Sequence, residues 1–304
     1  MTPIRTFEEM VAKLRQSCAT HRIAVVCPYD EESAEAALRA MREGFAELIF
    51  VGDPMRIAAA MESAGADSRA IRIVEAADAA EAAAKAVEEV RAGRADILMK
   101  GLIGTDVYLK AILNKEHGLL PAGDVLTHLS VAQMPGYDKL LAFSDVAVIP
   151  YPTIEQRRAM LRYDIATLHR LGISKPMVAL IHFTEKVNPK FPNSTDYATL
   201  VAENARGAFG EAVLGGPMDV KCACNAHSAA VKGIKSEVCG NADLLIFSNI
   251  DAGNTFYKTI TQFASATVAG ILQGPVVPVL LSSRSDSPES KFYSLALACI
   301  NRGC

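Results

Sequence analysis

The sequence lacks the short signatures of several common enzyme classes. No GxSxG elbow, HExxH helix, P-loop or dinucleotide GxGxxG occurs in its 304 residues, which weighs against a serine hydrolase, a zinc protease, an NTPase and a Rossmann dehydrogenase. It also lacks an excess of positive charge: 31 Lys and Arg face 34 Asp and Glu, for a net charge of -3. That balance carries no footprint of a nucleic-acid binder, so an anionic substrate must be held by a few placed cations. No apolar run reaches the roughly 18 residues of a membrane span, and the N-terminal MTPIRTFEEMVAKLRQ has the charge pattern of an amphipathic helix without a signal-peptide core. A soluble cytoplasmic protein with no membrane partner is expected. The seven cysteines, 18, 27, 222, 224, 239, 299 and 304, are odd in number and scattered, the pattern of reduced thiols rather than of a disulfide framework. Cys222 and Cys224 form the only close pair, with no second pair or histidine cluster to complete a zinc set. No metal is expected.

What is present is apolar material in short runs. The chain is 50% hydrophobic, ample for two α/β domains. IAVVCPY (23–29), ELIFVGD (47–53), IRIVEA (71–76) and ADILMKG (95–101) are each followed by a helical pattern. Strands this continuously apolar, separated by helices, predict a parallel sheet covered on both faces. Asp53-Pro54 reads as a helix start, with Asp as cap and Pro in the first turn. Between Lys115 and Asp145 the prolines, glycines and short β-like runs read as a crossover or hairpin. A second βα series follows, with helices expected over 153–171, 194–206 and 223–231, a long helix opening after Gly253, the apolar run 276–283 and a last helix over 289–300. The Pro-rich turn at 149–152 and the Gly-Pro turn at 274–275 are the expected crossings between lobes. The domains are accordingly expected at 1–148 with 275–304, and at 149–274.

The candidate chemistry is anion binding. A helix opening after Gly253 would aim unpaired N–H groups and its positive dipole end outward, with Asn254 and Thr255 as cap or ligand contacts and Lys258 one turn on. Read without function, Asn254 and Thr255 are simply caps and Lys258 is solvated. Ser283 and Arg284 follow a buried strand, where a guanidinium fork and a hydroxyl fit phosphate oxygens; the plain reading is a Ser-rich turn. Lys100 is a third cation at a strand's carboxyl end, with an ion pair to Asp96 or Asp106 as the competing account. Thr105 and Lys110 on the next helix are the candidate CoA contacts. His128 and His182 read as core or rim histidines.

The segments DILMKGLIGT (96–105), EKVNPKFPNST (185–195), GGP (215–217), KGIKSEVCGNADLLIF (232–247), DAGNTFYK (251–258) and VLLSSRSDSPESK (279–291) together resemble the phosphate acetyltransferase and phosphate butyryltransferase family, over almost the whole length. The Met-Lys-Gly and Ser-Arg-Ser-Asp forms are more similar to the butyryl branch. The resemblance implies a two-lobed, three-layer αβα fold with mostly parallel sheets, like the isocitrate and isopropylmalate dehydrogenases, with the active site in the interdomain cleft. It implies exchange of short-chain acyl-CoA (butyryl-CoA favoured) and inorganic phosphate with acyl phosphate and CoA, no metal or redox cofactor, CoA as substrate only, and a homodimer.

The residues suit that chemistry. Starting from acyl phosphate, the CoA thiol must lose its proton, because a thiol of pKa near 8.5 is mostly protonated at pH 7. Attack on the acyl carbon raises an oxyanion and releases phosphate, and both need fixed donors and cations. Arg284, Ser283 and Asn254 would grip phosphate, with Lys100 or Lys258 at the oxyanion. Two positions depart from the family. The acetyl branch places an Asp six residues after the arginine matching Arg284, where this chain has Ser290, so the base is assigned to Asp286 or Glu289. Its Asp a few residues after Gly-Pro aligns with Lys221, with Asp219 nearby, so no pocket acid is carried over there. The readings kept open beside this one are an acetyl preference, a metal- and NAD-dependent hydroxy-acid dehydrogenase of similar fold, and a non-catalytic acyl-CoA-binding protein.

Overall fold

The structure is a computed structural model that describes residues 2–67, 69, 71–281 and 286–303. The chain divides into two compact units, one of residues 8–126 with 268–304 and one of residues 1–7 with 127–267.

The unit built on 8–126 contains, in chain order, α1 (Phe7–Ser17), β1 (His21–Val26), α2 (Glu31–Arg42), β2 (Ala46–Gly52), α3 (Pro54–Ser63), β3 (Arg72–Glu75), α4 (Ala79–Arg91), β4 (Ile97–Lys100) and α5 (Thr105–Ile112). Its strands lie in the order β3-β2-β1-β4 and are parallel. Ile23 to Val26 and Ile97 to Met99 are all buried, as continuous apolar runs in a covered sheet require. The helix starts are capped as their residues dictate: Asp30, Asp53 and Asp78 each accept from backbone N–H groups of the first turn, and Pro54 fills the position of α3 that needs no donor. Right-handed crossovers from β1 outward to β3 place α2 and α3 on one face, and the return crossover to β4 places α4 on the other.

The unit built on 127–267 contains β5 (Thr127–Gln133), β6 (Leu141–Ser144), α6 (Ile154–Arg170), β7 (Met177–Ile181), α7 (Pro192–Asn204), β8 (Val213–Met218), α8 (Val220–Cys224), α9 (Ala226–Val231), β9 (Leu244–Ile246) and α10 (Ile250–Phe263). Its order is β5-β6-β9-β7-β8, with β5 antiparallel to β6 and the rest parallel. The segment 115–145 thus holds the expected hairpin, and because that hairpin pairs with β9 the unit starts at 127, about twenty residues before the Pro-rich turn at 149–152.

The chain then returns to the first unit through β10 (Thr267–Gln273), β11 (Val279–Leu280) and α11 (Pro288–Arg302). Strand β11 lies parallel to β4, and β10 is antiparallel to β11. Helix α11 packs on α2, β4 and β11. Here the expectation of one long helix up to the Gly-Pro turn is corrected. Helix α10 ends at Phe263, Ser265 takes a φ of 50°, and the following run is a strand. Thr267-Val268-Ala269-Gly270-Ile271 gains more by pairing in a sheet than by extending a helix, since β-branched residues and Gly disfavour the latter. The expected helix over 223–231 is two short helices, because Asn225 is extended and caps the second through Ser228 N–H.

Candidate active site

In the unit 8–126, the strands β1, β2 and β3 run outward one way from β1, while β4 and β11 lie on its other side. The order reverses between β1 and β4, and open α/β sheets bind ligands beyond the carboxyl ends of strands at such a reversal. Lys100 stands there as the last residue of β4, in register with Val26 at the end of β1. Its side chain is only 3% exposed, and Nζ donates to the Gly101 carbonyl at 3.3 Å. Asp96 is engaged elsewhere: Arg22 forks onto it, Nε to Oδ2 at 2.9 Å and Nη2 to Oδ1 at 2.8 Å. Gly101 is fixed by sterics, because a β-carbon at that position would collide with the Cys27 carbonyl. Helix α5 then opens with Gly104 as a cap without a side chain, and both Thr105 and Lys110 are exposed on it.

The carboxyl end of β11 leads to Ser283 and Arg284, which lie outside the described residues. Beyond them Asp286 is half-buried, and Glu289 is exposed in the first turn of α11, which Ser287 caps through Ser290 N–H at 3.1 Å. Sequence reasoning missed Lys291. Its side chain is 3% exposed, with Nζ 3.0 Å from Asp30 Oδ1 and 3.3 Å from Ser33 Oγ. This pair ties the start of α11 to the start of α2. Burial works against a charge on Asp30, yet its bonds from Ser33 and Lys291 prevail and hold the carboxyl below its ordinary range. The sequence signal was half there, since Asp30 before Glu-Glu-Ser reads as a cap; a lysine on an apolar helix face gave no sign of burial.

The second candidate group needs correction. Helix α10 begins at Ile250, not after Gly253, with Asn249 as cap accepting from Ala252 N–H at 2.9 Å. Gly253, Asn254, Thr255 and Lys258 therefore lie in the helix body, where N–H groups are already bonded, as Gly253 N is to the Asn249 carbonyl at 3.2 Å. Gly253 is buried against the Asp145 carbonyl, which a β-carbon would strike. The amide of Asn254 donates to the Val146 carbonyl at 3.0 Å, so it holds the loop after β6. Thr255 and Lys258 are exposed, and the Lys258 ammonium lies 4.5 Å from the centre of the Tyr257 ring. The unpaired N–H groups of this helix belong to the turn at Asn249, which an Asn followed by Asp251 could have signalled.

That turn borders a cavity of about 440 Å³ at the carboxyl ends of β7 and β9, where α7 and α10 begin. Its walls include Ile181, His182, Phe183, Phe191, Asn193 and Phe247. The His182 and Phe183 rings stack with centroids 4.5 Å apart, and Phe191 meets Phe183 edge-on at 4.9 Å. His182 Nδ1 accepts from Thr184 N–H at 3.3 Å, so the neutral ring carries its proton on Nε2. Below the cavity Arg157, 2% exposed, donates through Nη2 to Asn193 Oδ1 at 2.6 Å and to the Ser248 carbonyl at 3.0 Å, and through Nη1 to Asp196 at 2.8 Å. One guanidinium thus fixes two cavity residues on different elements. Phe183 ends the apolar run PMVALIHF (176–183) and read only as the close of a strand, while Phe191 is a single apolar residue in a polar loop.

His182 and His128 are buried, at 7% and 6% exposure. The Cys222 region has ligand-type groups in Glu185, Asp219 and Cys222, but the Lys232 ammonium lies 2.5 Å from a carboxylate oxygen of each acid. Burial opposes the charge on Asp219, and its bonds from Lys232 and Cys222 hold it at about 2 nonetheless. Burial and then Asp219 push the Cys222 thiol up to about 11, leaving it protonated. Lys221 is exposed on α8. Among the described residues no helix is long and apolar enough to cross a membrane.

The mostly parallel α/β fold is shared with the phosphotransacylases: a branched-chain phosphotransacylase from Enterococcus faecalis matches with a TM-score of 0.81 at 29% identity, over 93% of this chain and 99% of that one. Residues 79–299 match the family described as "Phosphate acetyl/butaryl transferase". The chain is 37% identical over 300 residues to the phosphate butyryltransferase of Clostridium acetobutylicum, covering 99% of each. It is 34% identical over 279 residues to the phosphate acetyltransferase of Thermotoga maritima, covering 92% of this chain and 94% of that one. The chain belongs to the phosphate acetyl/butyryl transferase family, as its motifs lead one to expect.

Proposed function

We propose that the protein is a phosphate acyltransferase that interconverts short-chain acyl-CoA and phosphate with acyl phosphate and CoA, with butyryl-CoA the favoured thioester. The likeness to the Clostridium acetobutylicum phosphate butyryltransferase along the whole chain carries this reading. In the direction of acyl phosphate, a phosphate oxygen attacks the thioester carbon, the C–S bond breaks, and CoA leaves as thiolate. In reverse, the thiol gives its proton to a base and the thiolate displaces phosphate. Both directions share a tetrahedral oxyanion that a buried cation stabilises strongly, because water does not screen it.

In this reading Lys100, buried at the end of β4, serves the oxyanion, while Ser283 and Arg284 grip phosphate. The base is Asp286 or Glu289, of which the half-buried Asp286 is the better shielded. Exposed Thr105 and Lys110 are assigned to CoA. Lys258 and Asn254 keep at most a supporting part in anion binding, since their helix begins four residues earlier than the motif implies. Transfer is direct between two bound substrates, which asks for positioning rather than a covalent enzyme intermediate. The protein is taken to work in the cytoplasm as a homodimer, with CoA as substrate and no metal or redox cofactor. Incubation with C2 to C5 acyl-CoA and phosphate, scored as phosphate-dependent free thiol, tests the activity and the butyryl preference together. A rate highest with the C2 thioester would replace butyryl by acetyl as the favoured substrate.

A further inference from the structure

We infer that the cavity at the carboxyl ends of β7 and β9 seats the adenine nucleotide end of CoA. This rests on the acyltransferase reading and adds to it a binding site in the unit 127–267. The first ground is the aromatic platform. Phe183 is 71% exposed, although large apolar side chains ordinarily seek cover. It is backed by the His182 ring at 4.5 Å and braced edge-on by Phe191 at 4.9 Å, so its outer face is held flat and open. A rigid ring with one free face is what a planar heterocycle covers by stacking.

The second ground is the polar equipment of the same cavity. The Oδ1 of Asn193 accepts from Arg157 and the Oδ1 of Asn249 accepts from Ala252 N–H. Each amide is thereby oriented with its NH₂ as the remaining donor, suited to the ring nitrogen acceptors of a purine. Lys190 lines the cavity as well, and α7 opens beside it with Phe191 as a cap that makes no side-chain bond to the helix. A nucleotide phosphate meets the Lys190 cation there. An acyl chain fits less well. A butyryl group occupies a small part of about 440 Å³, and discrimination between chain lengths needs an enclosed floor, whereas Phe183 and Phe191 at the rim are open to solvent.

The test compares butyryl-CoA with S-butyryl-pantetheine, which has the same thioester and no nucleotide, in wild type, Phe183→Ala and Lys190→Glu. The wild type should prefer butyryl-CoA in kcat/KM, and each variant should cut that preference about tenfold or more, the scale of one lost base stack. Calorimetric titration with adenosine 3′,5′-bisphosphate should show weakened binding in both. An unchanged preference together with unchanged titration overturns the inference. A shift among C2 to C5 thioesters with the preference intact overturns it in favour of an acyl pocket. If wild type turns over neither thioester, the acyltransferase reading has failed, and the titration alone then decides whether the cavity takes the nucleotide. Phe183 is exposed, so its removal should leave the melting temperature in place, and a large fall would mark its role as structural.

Discussion

The Nη2 of Arg157 donates to the Oδ1 of Asn193 across 2.6 Å, tying the first turn of α6 to the first turn of α7. The same guanidinium reaches Asp196 and the Ser248 carbonyl, and it is almost wholly buried. Its replacement leaves a carboxylate, an amide and a carbonyl without their donor. Arg157→Met should therefore cost about 3–5 kcal/mol in chemical denaturation, the scale of a broken buried pair. Arg157→Lys keeps the charge but not the fork, and should recover only part of that loss. A lysine variant as stable as wild type would show that charge, rather than geometry, is what the site requires.

Lys291 and Asp30 provide a pH-dependent counterpart. The Asp30 carboxyl titrates below its ordinary value in the folded protein. Its contribution is complete above the unfolded value of about 3.9 and is lost as pH falls through the folded one. Removing Lys291 removes one of the two partners that lower it, Ser33 being the other. Lys291→Met should bring acid unfolding to a higher pH than in wild type, as followed by circular dichroism; coincident acid transitions would contradict the pair's importance.

Asp164 on α6 has the opposite sign. It is fully buried, and burial pushes its pKa well above the ordinary range, with Ser144 opposing the shift and the charge of Asp145 adding to it. A raised folded value means stability fully present below about pH 3.9 and lost as pH rises through the folded pKa. Asp164→Asn, with nothing to ionise, should be at least as stable as wild type at pH 7 and should lose less stability between pH 4 and 7. A variant less stable at neutral pH would show that the charged form is used.

The assignment of the base is testable by pH profile. If Asp286 takes the thiol proton, Asp286→Asn should lower kcat at least about a hundredfold, the usual contribution of general base catalysis, and flatten its acidic limb. Glu289→Gln should leave that limb in place. The reverse pattern would move the base to Glu289, and no change in either would remove both.

Much of the fold was legible because continuously apolar runs between helices admit few architectures, as IAVVCPY and ADILMKG illustrate. Lys100 was singled out for the same reason, as a cation closing such a run. The misplaced helix start at Gly253 has a local cause. Gly read as an opening, whereas its small size serves close packing on the Asp145 carbonyl, a contact 108 residues away that no local pattern records. Strand β10 was absorbed into the preceding helix because a short apolar run has no period to separate the two forms. The Phe183 platform was invisible, since its rings meet only once α7 folds back beside β7.

Gly253→Ala offers a direct check of that packing. The inserted methyl must displace backbone rather than a flexible side chain, so a loss of about 1–3 kcal/mol is expected, against a gain of up to about 1 kcal/mol from helix propensity alone. A stabilised variant would mean that α10 shifts freely.

The central claim is acyl transfer to phosphate, and one assay reaches it most directly. Purified protein given butyryl-CoA should release free thiol only when phosphate is present, and Arg284→Ala should raise the phosphate concentration required and lower turnover. Release that ignores phosphate, or no release with any C2 to C5 thioester, would contradict the account.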